Sequence, residues 1–250
     1  MYQPRLYREG MNQDRFHFFR AVHHESDLLI GVPPGSYRQE MKEVALEELV
    51  RLRLILLEHD SLDPRFLNSL EPLPLSQPGE NPDEIITMLE CGMKAGTGPM
   101  AAVAGLFAER VGRRLADKYQ TDEVVVENGG DLFLRNLTNL VSVIHAGRSP
   151  LSDKMAFVVP PGEWGICTSS GTLGHSFSKG KADAVTIISS SAPLADAWAT
   201  ALANKVHGPG DIEPLLEIVE GIPEIGGCAV IAGDQIGVRG SFQVKLLSSE

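Results

Sequence analysis

From Tyr37 to about Glu58 the apolar residues Met41, Val44, Ala45, Leu49, Leu52, Ile55 and Leu56 recur every three or four positions, the spacing of one buried helix face. Glu43, Glu47 and Glu48 with Arg51 and Arg53 form the predicted wet face, with Glu47 and Arg51 a favourable i,i+4 pair. Ahead of this helix, residues 15–22 and 26–32 read as two strands joined at a His23-His24-Glu25 corner. Neighbours on a strand point to opposite faces, so the two histidines do not converge as metal ligands and the corner reads as a solvated turn.

Further along, a short helix is predicted near 63–70, then four prolines (Pro72, Pro74, Pro78, Pro82) exclude a regular element near 71–82. Residues 82–94 read as a helix ending at Ala95-Gly96. The next helix begins with Thr97 as candidate N-cap and Pro99 near its first position. Its first turns are small (Ala101, Ala102, Ala104, Gly105), which admits either close helix packing or a helix N-terminus aimed at phosphate. Strands are expected at 124–127, 132–134, 140–145, 154–158, 164–167, 184–190, 226–232, 236–239 and 242–247, and helices at 194–206 and 212–220. Helices and antiparallel-type strands are thus mixed without strict alternation, which is the α+β class with packed helices on mixed or antiparallel sheets. The chain reads as a single domain over 1–250, with two interlocked lobes and a Pro-rich linker near 71–82 as the variant form.

The 250 residues are enough for a sizeable core, and 43% hydrophobic with 22% charged residues is globular composition. A net charge of −11 argues against a general nucleic-acid or anionic-membrane surface. Apolar runs such as Leu54 to Leu57 are too short to span a bilayer, and the polar N-terminus carries no secretory pattern. Cys91, Cys167 and Cys228 are isolated and odd in number, so they read as core thiols in a reducing, cytoplasmic protein. A homodimer is the base-rate expectation for assembly.

Candidate chemistry concentrates between Ile166 and Asn204. From Thr168 to Ser178 nearly every residue is Ser, Thr or Gly, with His175 inside and Lys179 and Lys181 following. Glycine lets backbone N–H groups come close to a ligand, and hydroxyls and lysines add donors and charge, a combination suited to phosphate. Asp196 and Thr200 lie four apart on one predicted helix face. Both offer hard oxygens, of which Mg²⁺ takes one or two while keeping waters and phosphates. The residues therefore suggest a small phosphorylated ligand, a nucleotide, with a divalent cation. Asn128-Gly129-Gly130-Asp131 between apolar runs reads locally as a hairpin turn.

Three of these pieces resemble the ApbE-like flavin transferases. VVVENGGDLFL (124–134) resembles their Asn-x-Gly-Gly-Asp motif. CTSSG followed by His175 resembles their Thr-Ser-Gly segment and downstream His. AVTIISSSAPLADAWATAL (184–202) resembles their closing Ala-Asp-Ala-x-Ala-Thr helix. ESDLLI, GPMAAVAG, VENGGD and TSSGTLGHSFSKGKADAV together are similar to a short, cytoplasmic branch of that superfamily. The resemblance implies an ApbE-like fold, with FAD or a related nucleotide as ligand and Mg²⁺ on Asp196 and Thr200. It implies a flavin pocket lined by Asn128, Gly129, Gly130, Asp131, Thr168, Ser169, Ser170 and Gly171, with His175 and Lys179 as catalytic candidates. In the transferases FMN passes from FAD to a threonine of a target protein and AMP leaves.

The chain departs from that pattern in two places. GPMAAVAG stands where the transferases have Lys-Gly-x-x-x-Asp, and GHSFSKGKAD replaces their His-Asp-Pro-x-Thr-Gly, leaving Asp183 as the nearest acid. Transferase and non-catalytic flavin or nucleotide binder therefore stand as alternatives, because a fold does not dictate its function. A serine hydrolase using Ser176 or Ser178 with His175 is the weakest reading, because no Gly-x-Ser-x-Gly elbow is present.

Overall fold

The computed structural model describes residues 14–75, 79, 81–171 and 180–247. In chain order the strands are β1 His17–His23, β2 Ser26–Val32, β3 Val124–Asn128, β4 Asp131–Asn136, β5 Leu140–Val143, β6 Met155–Val159, β7 Gly162–Ser169, β8 Ala184–Ser189, β9 Gly227–Ala232, β10 Gln235–Gly240 and β11 Gln243–Leu246. The α-helices are α1 Met41–Leu62, α2 Asp83–Ala95, α3 Val103–Tyr119, α4 Ala192–Ala203 and α5 Ile212–Glu220.

Eight strands form one sheet in the order β1-β2-β3-β4-β7-β8-β9-β10, and a smaller sheet runs β11-β6-β5. All the pairings are antiparallel, so the expected α+β class holds. Alternation along the strands separates two cores. Leu28, Ile30, Val126, Phe133, Cys167, Ile187 and Val230 face the helices. Val125, Leu134, Ile166, Ile188 and Ile231 face the small sheet, where Phe157 and Val159 meet them. The large sheet is therefore buried on both sides, which explains its near-continuous apolar strands.

Four expectations need correction. Residues 63–70 form turns, not a helix, because the Asp63 carboxylate takes the Arg65 amide (3.1 Å) and guanidinium and so competes with helix continuation. Thr97 is not a cap: its amide bonds Gly92 O at the end of α2 (2.9 Å), and a 3-10 turn Pro99–Ala102 precedes α3. The helix expected at 194–206 starts earlier, at Ala192, with Pro193 in its first turn. Finally, Glu48 is 3% exposed, not wet. Arg51 pairs with Glu48 and with Glu84 of α2, and Arg114 of α3 reaches both Glu47 and Glu48. The packing of α2 and α3 against this side of α1 buries the carboxylate together with its partners.

Candidate functional site

The β3–β4 connection is a two-residue turn with Gly129 at φ 72° and Gly130 at φ 105°, left-handed values that suit glycine and the twist of a hairpin. Asn128 and Asp131 face each other across it. The register continues this row over six strands: Leu28, Asn128, Asp131, Cys167, Ile187 and Cys228. The row faces the helices, so Asn128 and Asp131 interrupt an apolar surface with polar groups. Asn128 Nδ2 donates to Ala104 O at 3.2 Å, and Gly130 N–H donates to Glu127 Oε1 at 2.9 Å.

Over this row α3 and α4 cross closely. A Cβ on Gly105 would lie 2.3 Å from Ala192 O, and one on Gly165 would lie 2.3 Å from Ala192 Cα, so only hydrogen fits at both. The small residues of α3 thus serve helix packing. Asp196, one turn into α4, accepts the Gly105 amide at 2.9 Å and a further bond from the Ala104 amide. Glu109 of α3 accepts the Ala192 amide at 2.8 Å. The anion at the start of α3 is therefore an internal side chain.

Asp196 is 8% exposed and Asp131 9%. Burial pushes Asp196 up to about 7 despite the two amides that favour its charged form. Burial, and then the negative charge of Asp196, push Asp131 well above the ordinary carboxylate range. The neighbouring Cys167 thiol and Thr168 amide oppose that rise, while the thiol donates to Ala192 O at 3.3 Å. Neither acid forms a salt bridge among the described residues. Burial raises Cys167 most, followed by the charges of Asp131 and Asp196.

The other expected site residues divide. Gly130 lies beside Thr168, whose carbonyl is 3.7 Å from the position of a Cβ there. The Thr168 side chain faces the small sheet and meets Thr186 at 2.9 Å, whereas Ser169 faces the helices. Ser169 Oγ is buried and has no hydrogen-bond partner among the described residues. Gly171 N–H donates to Ala182 O at 3.0 Å and Ser170 Oγ lies 3.5 Å from the same oxygen. A Cβ on Gly171 would be 1.9 Å from Gly180 O, and one on Gly180 would be 1.8 Å from Ala203 O, which ties the end of β7 to the end of α4. Thr200 is half-buried one turn beyond Asp196. Asp183 stands apart, its Oδ2 accepting the Gly233 amide of the β9–β10 turn at 2.7 Å. His175 and Lys179 lie outside the described residues. Among the described residues, no group of three or more His, Cys, Asp or Glu is placed to hold a metal.

The sequence reading overlooked Cys167, Glu109 and Gly105 as parts of this site. Gly105 appeared only as a small residue, and the other two gave no local signal, since their roles depend on strand register and helix crossing.

The fold defined by this double-sheet and helix arrangement is that of the ApbE-like superfamily. An ApbE protein from Thermotoga maritima superposes with TM-score 0.60 at 12% identity, covering 89% of this chain and 96% of the other. A flavinyl transferase ApbE from Pseudomonas stutzeri gives 0.55 at 16%, covering 90% and 93%. Within that superfamily the chain belongs to the family described as AbpE bacteria, which it matches over residues 8–214. A UPF0280 protein of Methanothermobacter thermautotrophicus is 37% identical over 219 residues, covering 85% of this chain and 84% of the relative. A second, from Methanocaldococcus jannaschii, is 33% identical over 230 residues, covering 89% and 90%. No helix among the described residues is long and apolar enough to cross a membrane.

Proposed function

We propose that the protein binds a flavin or other phosphorylated nucleotide-type ligand together with Mg²⁺, at the sheet end where Asp131, Asp196 and the segment from Thr168 to Gly171 come together. The observation that carries this reading is the pair of buried acids with no cationic partner among the described residues. Two such carboxylates repel, and a divalent cation relieves that repulsion.

The donors fit the ion. Mg²⁺ accepts one or two carboxylates and completes its shell with waters and phosphate oxygens. A carboxylate has about four acceptor positions, so Asp196 keeps capacity after binding two amides. Asp196 and the Thr200 hydroxyl would hold the ion, with Asp131 beside them. When bound, the ion would neutralise phosphate charge and polarise a phosphoryl oxygen.

The chain's own groups supply placement. The glycine turn at 129–130 lets a ligand approach the backbone, and the unpartnered Ser169 hydroxyl offers a hydrogen bond. His175 and Lys179 are assigned to phosphate charge or proton transfer on sequence grounds. Transfer of the nucleotide to an acceptor is the reaction this arrangement suits, because phosphoryl transfer asks mainly for positioning and charge neutralisation. The absent Lys-Gly-x-x-x-Asp motif favours a second reading, a binder that does not consume its ligand.

The test is titration of FAD, FMN, ADP and ATP into purified protein with and without Mg²⁺, followed by assay for AMP release from FAD. Mg²⁺-dependent binding that weakens in Asp131→Asn and Asp196→Asn is the expected result. Binding without turnover selects the second reading, and no binding across the panel overturns both.

A further inference from the structure

We propose that Glu109, held by Arg113, is a positioning residue for this site. It latches the start of α4 to α3 and β4, so that Asp196 keeps its place beside Asp131 when a cation draws on its carboxylate. The proposal rests on reading those two acids as the cation site.

Two acids occupy matching places where α3 and α4 cross. Asp196 takes the Gly105 amide in the first turn of α3 (2.9 Å), and Glu109 takes the Ala192 amide that opens α4 (2.8 Å). Each acid lies one turn beyond the amide that its own helix donates. Their surroundings differ. Glu109 Oε1 accepts Arg113 Nε at 3.0 Å, whereas Asp196 forms no salt bridge among the described residues. One acid is neutralised within the fold, and the other is left for a cation from outside.

Arg113 carries the link to the strand that bears Asp131. Its guanidinium lies over the Phe133 ring, 5.2 Å from the centroid, and its Nη1 meets Glu163 Oε2 at 2.6 Å. Arg135 Nη2 closes on Glu163 Oε1, also at 2.6 Å. Asp131, Phe133 and Arg135 alternate along β4 on one face. Helix α3 rests directly on that face, since a Cβ on Gly112 would lie 2.4 Å from Phe133 Cδ1. The path from β4 through Arg113 and Glu109 to Ala192 is thus made of close contacts, and the rigid first turn of α4 passes the position of Ala192 on to Asp196. A cation on Asp196 competes with the Gly105 amide for that carboxylate. The bond from Ala192 to Glu109 lies outside that competition and keeps α4 in place.

The experiment uses the full chain with Mg²⁺ alone as probe, in wild type, Glu109→Ala, Glu109→Gln and Glu48→Gln. Selective isotope labelling of glycine lets the Gly105 amide be read by NMR in the ion-free protein. Its resonance should shift in Glu109→Ala well beyond any shift in Glu109→Gln, because α4 and Asp196 move relative to α3. Calorimetric Mg²⁺ affinity should fall about 10- to 100-fold in Glu109→Ala, the usual range for loss of a residue that orients a metal ligand. Glu109→Gln keeps an oxygen for the Ala192 amide and should recover most of that loss. Glu48→Gln weakens the fold elsewhere and should bind Mg²⁺ as wild type does.

A Gly105 amide that answers no more to Glu109→Ala than to Glu109→Gln overturns the proposal, as does undiminished Mg²⁺ affinity in Glu109→Ala. An equal loss of affinity in Glu48→Gln would mark a general effect of stability and overturns it too. If wild type binds no Mg²⁺ but the Gly105 amide still moves, the cation reading fails by itself and the latch stands. Should Glu109→Ala not fold, Arg113→Met, which strips Glu109 of its cation, is read against the same two criteria.

Discussion

Asp196 on α4 accepts the Gly105 amide of α3 at 2.9 Å, while Glu109 on α3 accepts the Ala192 amide of α4 at 2.8 Å. Each helix thus supplies the negative group at the other's positive end, where free N–H groups and the macrodipole both favour it. The arrangement also fixes the distance between the helices, because Gly105 and Ala192 touch through backbone.

Gly105→Ala places a Cβ where only hydrogen fits. Forcing α3 and α4 apart should cost about 1–3 kcal/mol, the usual penalty for overpacking. Urea denaturation read by circular dichroism will show this as a lower midpoint at unchanged slope, and an unaltered midpoint would mean the contact relaxes freely.

The two raised carboxylates give the ligand-free protein a definite pH dependence. Their folded pKa values lie above the unfolded ones, so the native state binds more protons, and stability falls as pH rises from about 4 toward 7 and above. Glu84 and Glu123 act in the other direction at lower pH: burial would raise them, but Arg51 and Arg15 hold them low. Their contribution is present above the unfolded value and is lost as pH falls below it. Melting temperature should therefore peak near pH 5 and decline toward pH 8, with a shallower decline in Asp131→Asn. An equally steep decline in that variant would assign the effect elsewhere.

Ser169→Ala removes a buried hydroxyl that has no partner among the described residues. Its stability should stay within about 0.5 kcal/mol of wild type, or rise, because no hydrogen bond is lost. Affinity for the phosphorylated ligand should nevertheless drop. A clear loss of stability without ligand would show that the hydroxyl has a partner in solution.

Glu48→Gln keeps the shape of the side chain at the α1–α2–α3 junction and removes its charge. Arg51 and Arg114 then lose their shared buried acceptor, at a cost of about 1.5–3 kcal/mol for hydrogen bonds to a charged group. Thermal unfolding against Glu47→Gln makes the comparison, since Glu47 is exposed and its loss should be nearly silent.

Much of this structure can be read from residue order. The apolar spacing of α1, the Asn128–Asp131 turn and the helix carrying Asp196 all follow from local pattern. Resemblance to the ApbE-like family reached the fold as well. What the sequence hides is set by contacts between distant segments. Period two says that Thr168 and Ser169 point opposite ways, but only the layers decide that Ser169 meets the helices. Glu48 carries the same local signal as Glu43 and is buried only because α2 and α3 arrive with arginines. Asp196 caps a helix other than its own, and Cys167 gains its neighbour Asp131 through register alone. Residues 63–70 misled because Asp63 folds back onto the following backbone.

The small sheet has a consequence for how the molecule assembles. Strand order in the large sheet follows chain order apart from the β5–β6 excursion, and its β2–β3 pairing joins Ser26–Val32 to Val124–Asn128 across α1, α2 and α3. The excursion is completed only when Gln243–Leu246 reaches Met155–Val158 from far along the chain, so this step, like the β2–β3 closure, carries the entropy cost of a long loop. The hairpin of β5 and β6 should thus gain full amide protection only with that distant contact, waiting on a strand that its own neighbourhood does not supply.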